Sequence, residues 1–350
     1  MNKYLLQKNV HQRKNFPLSL KQEVKKFILN RDTYLKIAFW DTKLSHRGTS
    51  IALYDYAYYN KHLLNNQSII IYNNTFPENN ELVVEKFKKE FDVFAVDNFN
   101  KVENILNEQH CDILYIIKGG EFEGNISYNI KTVVHCVFNC LHPHGNVYAT
   151  ISPYIKGYID NNFPVVPHMI NLPDVAGNMR KELGIPDEAI VYGRHGGFET
   201  FDIEYVHNIV YKVAKKYNNI YFLFMSTNKF CDDLPNIIHL EPIIDVEKKV
   251  EFINTCDAML WARKDGETFG LAIAEFSTKG KPVIATKKNI LDLAHVHFLN
   301  DFGIWYDETN LYDILIHFNK EENSKKDWNA YKDFTPEKVM KQFKKVFIDN

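Results

Sequence analysis

The chain has 350 residues and a mass of 41.1 kDa, long enough for about two domains with sizeable cores. With 45% hydrophobic and 25% charged residues and only 15 Gly and 12 Pro, the composition excludes fibrous and disordered classes. Its 42 Lys plus Arg nearly balance 44 Asp plus Glu, so whole-chain basicity gives no argument for nucleic acid and any anion site has to be local.

The N-terminal segment is the exception: Lys3, Lys8, Arg13, Lys14, Lys21, Lys25, Lys26 and Arg31 outnumber Glu23 and Asp32. A solvated helix face accounts for this, and docking to an acidic membrane surface is the alternative. Short β-rich runs then alternate with segments of helical period, the pattern of a parallel sheet with crossover helices. Strands are predicted over 35–40, 68–72, 93–96, 113–117, 132–138 and 147–151, with helices over 49–63, 82–90 and 102–109. From Pro164 to Asn178 three prolines and a glycine mark a connection between domains. The alternation restarts with strands over 189–192, 221–225, 237–240, 258–261, 283–285 and 304–306, and helices over 203–217, 246–254, 271–279 and 310–318. Val339, Phe343, Val346 and Phe347 give 336–348 the spacing of an amphipathic closing helix. The fold class is therefore α/β, with two Rossmann-like domains (1–168 and 169–332) and a C-terminal helix (333–350). Two such domains oppose their strand carboxyl ends, which places the ligand site in a central cleft.

Cys111, Cys136, Cys140, Cys231 and Cys256 are too few for a disulfide framework and fit a reducing, cytoplasmic setting. Residues 1–14 lack the apolar core of a secretion signal, and no apolar run reaches the length of a membrane span, so a soluble protein is expected, with peripheral membrane contact open through the basic segment.

Neither G-x-G-x-x-G nor the P-loop pattern follows the first strand, which disfavours dehydrogenases and P-loop enzymes. Gly48 lies just before a helix, where bare backbone can approach an anion or a sugar; a plain turn glycine is the other reading. The most informative stretch is Arg263 to Ala285, RKDGETFGLAIAEFSTKGKPVIA. Glu267 precedes Thr268, Phe269, Gly270 and a helix starting near Leu271, with Glu275 one turn later on the same face as Leu271. First-turn N–H groups can hold a diphosphate while Glu275 accepts hydrogen bonds from a vicinal diol such as ribose.

This segment resembles the E-x7-E element of retaining glycosyltransferases of the GT-B fold, family 4 and its relatives. Glu267, Phe269, Gly270, Leu271, Glu275, Gly280, Pro282, Val283 and Ile284 match that pattern in order. The resemblance implies that Glu267 contacts the donor sugar, the backbone at Phe269 to Leu271 the diphosphate, and Glu275 the ribose. It also implies that His135, at a strand end of the first domain, lines the cleft beside the transferred sugar, with a core histidine as the alternative. Arg194, followed by His195, Gly196 and Gly197, would neutralise the leaving diphosphate or else form a surface ion pair. The family carries a lysine five residues on, where this chain has Glu199, so a second cation is sought in Arg263, Lys264 or Lys229.

The function expected from the resemblance is transfer of a sugar from a nucleotide-diphosphate donor to a glycan, lipid or small-molecule acceptor, with retention. The closing helix is expected to pack back towards the first domain. No metal or other cofactor is expected: Asp-x-Asp is absent, and His135, Cys136, Cys140, His142 and His144 lack a second ligand cluster for zinc. A nucleotide-sugar 2-epimerase, another GT-B enzyme, and a catalytically inactive nucleotide-sugar-binding module are the alternatives.

Overall fold

The computed structural model describes residues 34–155 and 162–350. The basic N-terminal cluster lies outside the described residues. In the first domain, β1 (Lys36–Asp41), β2 (Gln67–Asn73), β3 (Asp92–Val96), β4 (Ile113–Lys118), β5 (Lys131–Cys136) and β6 (Val147–Thr150) form a six-stranded sheet in the order β3-β2-β1-β4-β5-β6. Every pairing is parallel. All six residues of β4 and five of six in β1 are buried, as a sheet covered by helices on both faces requires. Those helices are α1 (Gly48–His62), α2 (Glu81–Lys88) and α3 (Val102–Glu108). Ala52, Leu53, Tyr56 and Ala57 form the buried stripe of α1, and Asn80 caps α2 by accepting from the Val83 N–H.

The second domain repeats the plan with β7 (Ile190–His195), α4 (Glu204–Lys216), β8 (Ile220–Met225), β9 (Ile237–Leu240), α5 (Val246–Thr255) and β10 (Ala258–Leu260). There follow β11 (Gly266–Glu267), α6 (Leu271–Thr278), β12 (Val283–Ala285), β13 (Asp292–Leu293), α7 (Ala294–Leu299), β14 (Gly303–Trp305) and α8 (Leu311–Ile316). Its main sheet runs β14-β12-β10-β7-β8-β9, again wholly parallel, while β11 and β13 pair by themselves. Strand order reverses between β1 and β4 in one sheet and between β7 and β10 in the other. Crevices open at the carboxyl ends of such reversals.

After the short α9 (Lys320–Asn323), the chain ends in α10 (Pro336–Phe343) and a π-type turn over Lys344–Ile348. The Phe343 ring lies 5.5 Å from those of Tyr56 and Tyr115, and Phe347 lies 5.5 Å from Tyr115, so this end of the chain packs on the first domain. The two connections between domains touch: the Ile170 N–H donates to the Phe334 carbonyl at 2.8 Å. No helix among the described residues is long and apolar enough to cross a membrane.

The predicted strands and helices fall on observed ones with ends displaced by a few residues; β5 stops at Cys136, short of the predicted Phe138. The elements β11, β13, α7 and α9 have no counterpart in the sequence reading. Two to six residues carry no usable period.

Candidate functional site

β7 ends in Gly193, Arg194 and His195. A side chain at Gly193 would place its Cβ 2.1 Å from Cys256 Sγ, so glycine is what allows β7 to approach the end of α5. Arg194 is buried and donates to the Ser226 carbonyl, Thr227 Oγ1, the Gly197 carbonyl and Thr200 Oγ1. It is therefore no surface ion pair; its guanidinium pins the 196–200 loop. Burial lowers its pKa to about 10, partly offset by the field of Glu267.

β10 leads through Trp261 to β11. Gly266 has φ of +75° and a Cβ there would lie 1.9 Å from the Asp292 carbonyl oxygen, so only glycine lets β11 pair with β13 and fix Glu267. The Glu267 carboxylate accepts from Trp261 Nε1 at 2.9 Å and from Arg263 Nη1 at 3.4 Å. Burial raises its pKa, and Arg263 is the largest opposing influence. The indole is held in turn against the His295 ring, with centroids 4.2 Å apart. Thr268 is half-buried, and Phe269 is anchored by its carbonyl, which accepts from Tyr331 Oη at 3.0 Å. Gly270 takes the left-handed conformation (φ 85°, ψ 61°) that turns the chain into α6 at Leu271.

Glu275, one turn into α6, is 6% exposed and doubly paired. Lys249 of α5 binds Oε1, and His195 Nε2 lies 3.0 Å from Oε2. Burial alone would raise this carboxyl; Lys249 and His195 outweigh it and hold the pKa at about 2. Burial lowers the His195 pKa, and Glu275 counteracts that in part.

The first domain meets this surface through the loop after β1. Asp41 accepts from Ser50 Oγ at 3.2 Å, Ser50 Oγ accepts from the Ser45 N–H at 3.0 Å, and Ser45 Oγ accepts from the Arg47 N–H at 3.3 Å. This chain of bonds holds the turn into α1. Burial pushes the Asp41 carboxyl up to about 7. A Cβ on Gly48 would lie 3.2 Å from Leu271 Cδ1, so the first residues of α1 and α6 face each other across the gap. Arg47 Nη2 stands 3.8 Å from Glu199 Oε2 of the second domain. Deeper along α1, burial raises the Asp55 carboxyl to about 7 against the fields of Lys86 and Lys249.

The structure thus brings Arg194, Arg263, Glu267, Thr268, Phe269, Gly270, Leu271 and Glu275 together on the segments that follow β7 and β10, with Gly48 of the first domain facing Leu271. His135 does not belong with them. It is fully buried beneath Phe347, its Nε2 donates to the Val166 carbonyl at 2.8 Å, and its Nδ1 accepts from Tyr115 Oη at 2.7 Å. Burial drives its pKa down to about 3. The reading of His135 as a cleft-lining residue is corrected on these grounds: both ring nitrogens are already satisfied inside the first domain. Lys229 pairs with Asp233 on the surface, and Lys264 is exposed. Sequence reasoning missed Lys249, His195, Trp261, Asp55 and Arg47. Of these His195 and Arg47 carried a signal, as the neighbours of Arg194 and Gly48.

The paired parallel sheets with their facing reversal points are the GT-B fold. No family model matches the chain, and no curated protein matches it in sequence. Among solved structures it resembles Anabaena Alr3699/HepE in complex with UDP and glucose, at a TM-score of 0.68 and 13% identity over 91% of this chain and 100% of that one. A glycosyltransferase from Rickettsia africae gives 0.64 and 15% over 91% and 100%. A putative UDP-N-acetylglucosamine 2-epimerase from Listeria monocytogenes gives 0.59 and 12% over 90% and 97%.

Proposed function

We propose that this protein is a glycosyltransferase that moves a sugar from a nucleoside-diphosphate donor to an acceptor, with retention of configuration and without a metal ion. The observation that carries the reading is the meeting of Gly48 and Leu271, two helix starts facing one gap, with Glu267 on the short strand before the second helix and Glu275 one turn into it. Helix starts present free N–H groups and positive dipole ends, which suit a diphosphate. The solved HepE structure holds UDP and glucose, which favours a uridine donor.

In this reading the second domain binds the donor. Glu275, kept ionised by Lys249 and His195, accepts from the ribose hydroxyls, and Glu267, oriented by Trp261 and Arg263, contacts the sugar. The leaving diphosphate is met by the start of α6 and by Arg263, while Arg194 positions the 196–200 loop and adds buried positive charge below it. The first domain presents the acceptor, a glycan, lipid or small molecule, and closure keeps water from the donor. Retention is supported by the likeness of the Glu267–Glu275 element to family 4.

The test is UDP release from a panel of UDP-sugars, with and without acceptors and with EDTA present. Turnover that needs an acceptor and survives EDTA supports the proposal; abolition by EDTA contradicts its metal-free part. Glu267→Ala should lower turnover more than donor affinity, and full activity in that variant would remove Glu267 from the site. The similarity to the Listeria protein over most of both chains favours epimerisation as a second reading. Conversion of the donor alone to an epimer, seen by NMR, would select it; donor binding without any turnover would indicate an inactive module.

A further inference from the structure

Glu199 stands where the resembling family has a diphosphate-binding lysine, a charge reversal that ought to weaken the hold on a polyanion. The structure supplies a cation there from the opposite domain. Arg47, the residue before Gly48, reaches across the cleft to within 3.8 Å of the Glu199 carboxylate. Both side chains are well exposed, at 59% and 67%, so the pair is weak and readily exchanged. Arg47 lies beside the start of α1, next to the point where Gly48 meets Leu271 at the start of α6. Other charged neighbours do not tie it down: Glu78 lies within its field but is bound by Lys43 at 2.6 Å.

We propose that Arg47 is the second diphosphate-binding cation, held in reserve on Glu199 until a donor enters. This rests on the nucleotide-sugar reading above and adds to it a residue of the first domain. A diphosphate at the start of α6 offers the guanidinium two anionic oxygens in a fork geometry, against the single 3.8 Å contact with Glu199. Arg47 then leaves Glu199 for the phosphates. Because Arg47 belongs to the first domain, the donor is gripped fully only when the two domains are together, so donor binding and closure become one event. Glu199, in turn, holds Arg47 over the gap.

The test compares UDP with UMP as probes, by isothermal titration calorimetry on the full chain. Arg47→Ala should weaken UDP binding about tenfold and leave UMP binding unchanged, since the contact is to the β-phosphate. Glu199→Ala should bind UDP as well as the wild type or better. The double variant Arg47→Ala with Glu199→Lys should regain most of the lost affinity, because the cation is returned to the second domain. UDP affinity unaltered in Arg47→Ala would overturn the proposal. So would a Glu199→Ala variant as weak as Arg47→Ala, which would make the pair a mere clasp between domains. Where the wild type binds neither UDP nor UMP, the same comparison is made with GDP and GMP, ADP and AMP, and CDP and CMP; a wild type that binds none of them would remove the nucleotide-sugar reading itself, a result distinct from both.

Discussion

Replacing Glu275 by Gln keeps the shape of the side chain and deletes the negative charge between Lys249 and His195. In the folded protein this carboxyl is held at about 2, against an ordinary 4.5, because the charge of Lys249, with His195 beside it, outweighs the cost of burial. At about 1.4 kcal/mol for each pH unit between those values, the ionised group contributes about 3 kcal/mol to stability at neutral pH. The folded value is the lower one, so this contribution is complete above pH 4.5 and disappears as the pH falls towards 2. An unfolding entropy of roughly 0.7 kcal/mol/K for a chain this long converts it to a melting point lower by about 4 °C in Glu275→Gln at pH 7. Differential scanning calorimetry of both proteins at pH 7, and again stepwise between pH 5 and 3, measures it. The gap should narrow as the wild type loses its charge in acid. A variant that melts within about 1 °C of the wild type at pH 7 would refute the argument, since the pairs would then do no more than cancel the desolvation of three buried groups.

Three further outcomes are expected. His135 is neutral in the folded state down to about pH 3, so the native protein binds fewer protons than the unfolded chain below pH 6.5 and loses about 1.4 kcal/mol per pH unit on acidification. His135→Gln should flatten that slope in urea titrations between pH 7 and 5, and an unchanged slope would mean that another group sets it. Gly193→Ala drives a methyl into Cys256 and should cost roughly 1–3 kcal/mol in chemical denaturation; wild-type stability would show that α5 yields at no cost. Gly48→Val should slow transfer roughly tenfold while leaving the melting point unchanged, because its bulk meets Leu271 only where the domains approach. Undiminished turnover in that variant would show that Gly48 and Leu271 need not approach during catalysis.

Buried strands of a parallel sheet are short, apolar and bounded by polar turns, so Ile113–Lys118 and Ile220–Met225 announce themselves in the sequence. The stretch from Glu267 to Glu275 is equally legible, because a local run holds both carboxylates and the helix start. What the sequence hides is decided by distant partners. Nothing near His135 reveals that Phe347, more than 200 residues later, covers it. Nothing near Lys249 or Arg47 reveals the acidic side chain each one meets in space. Glu199 reads as a plain mismatch until the opposite domain is placed against it.

The backbone passes from one lobe to the other twice, and the bond from Ile170 to Phe334 fastens the two passages side by side. A pair of adjoining straps permits swinging about the line they share but resists twist and slide. Bending there should therefore bring Arg47 and Gly48 back onto Glu199 and Leu271, so the alignment of the two lobes is inherited from the paired connections and need not be found anew each time they close.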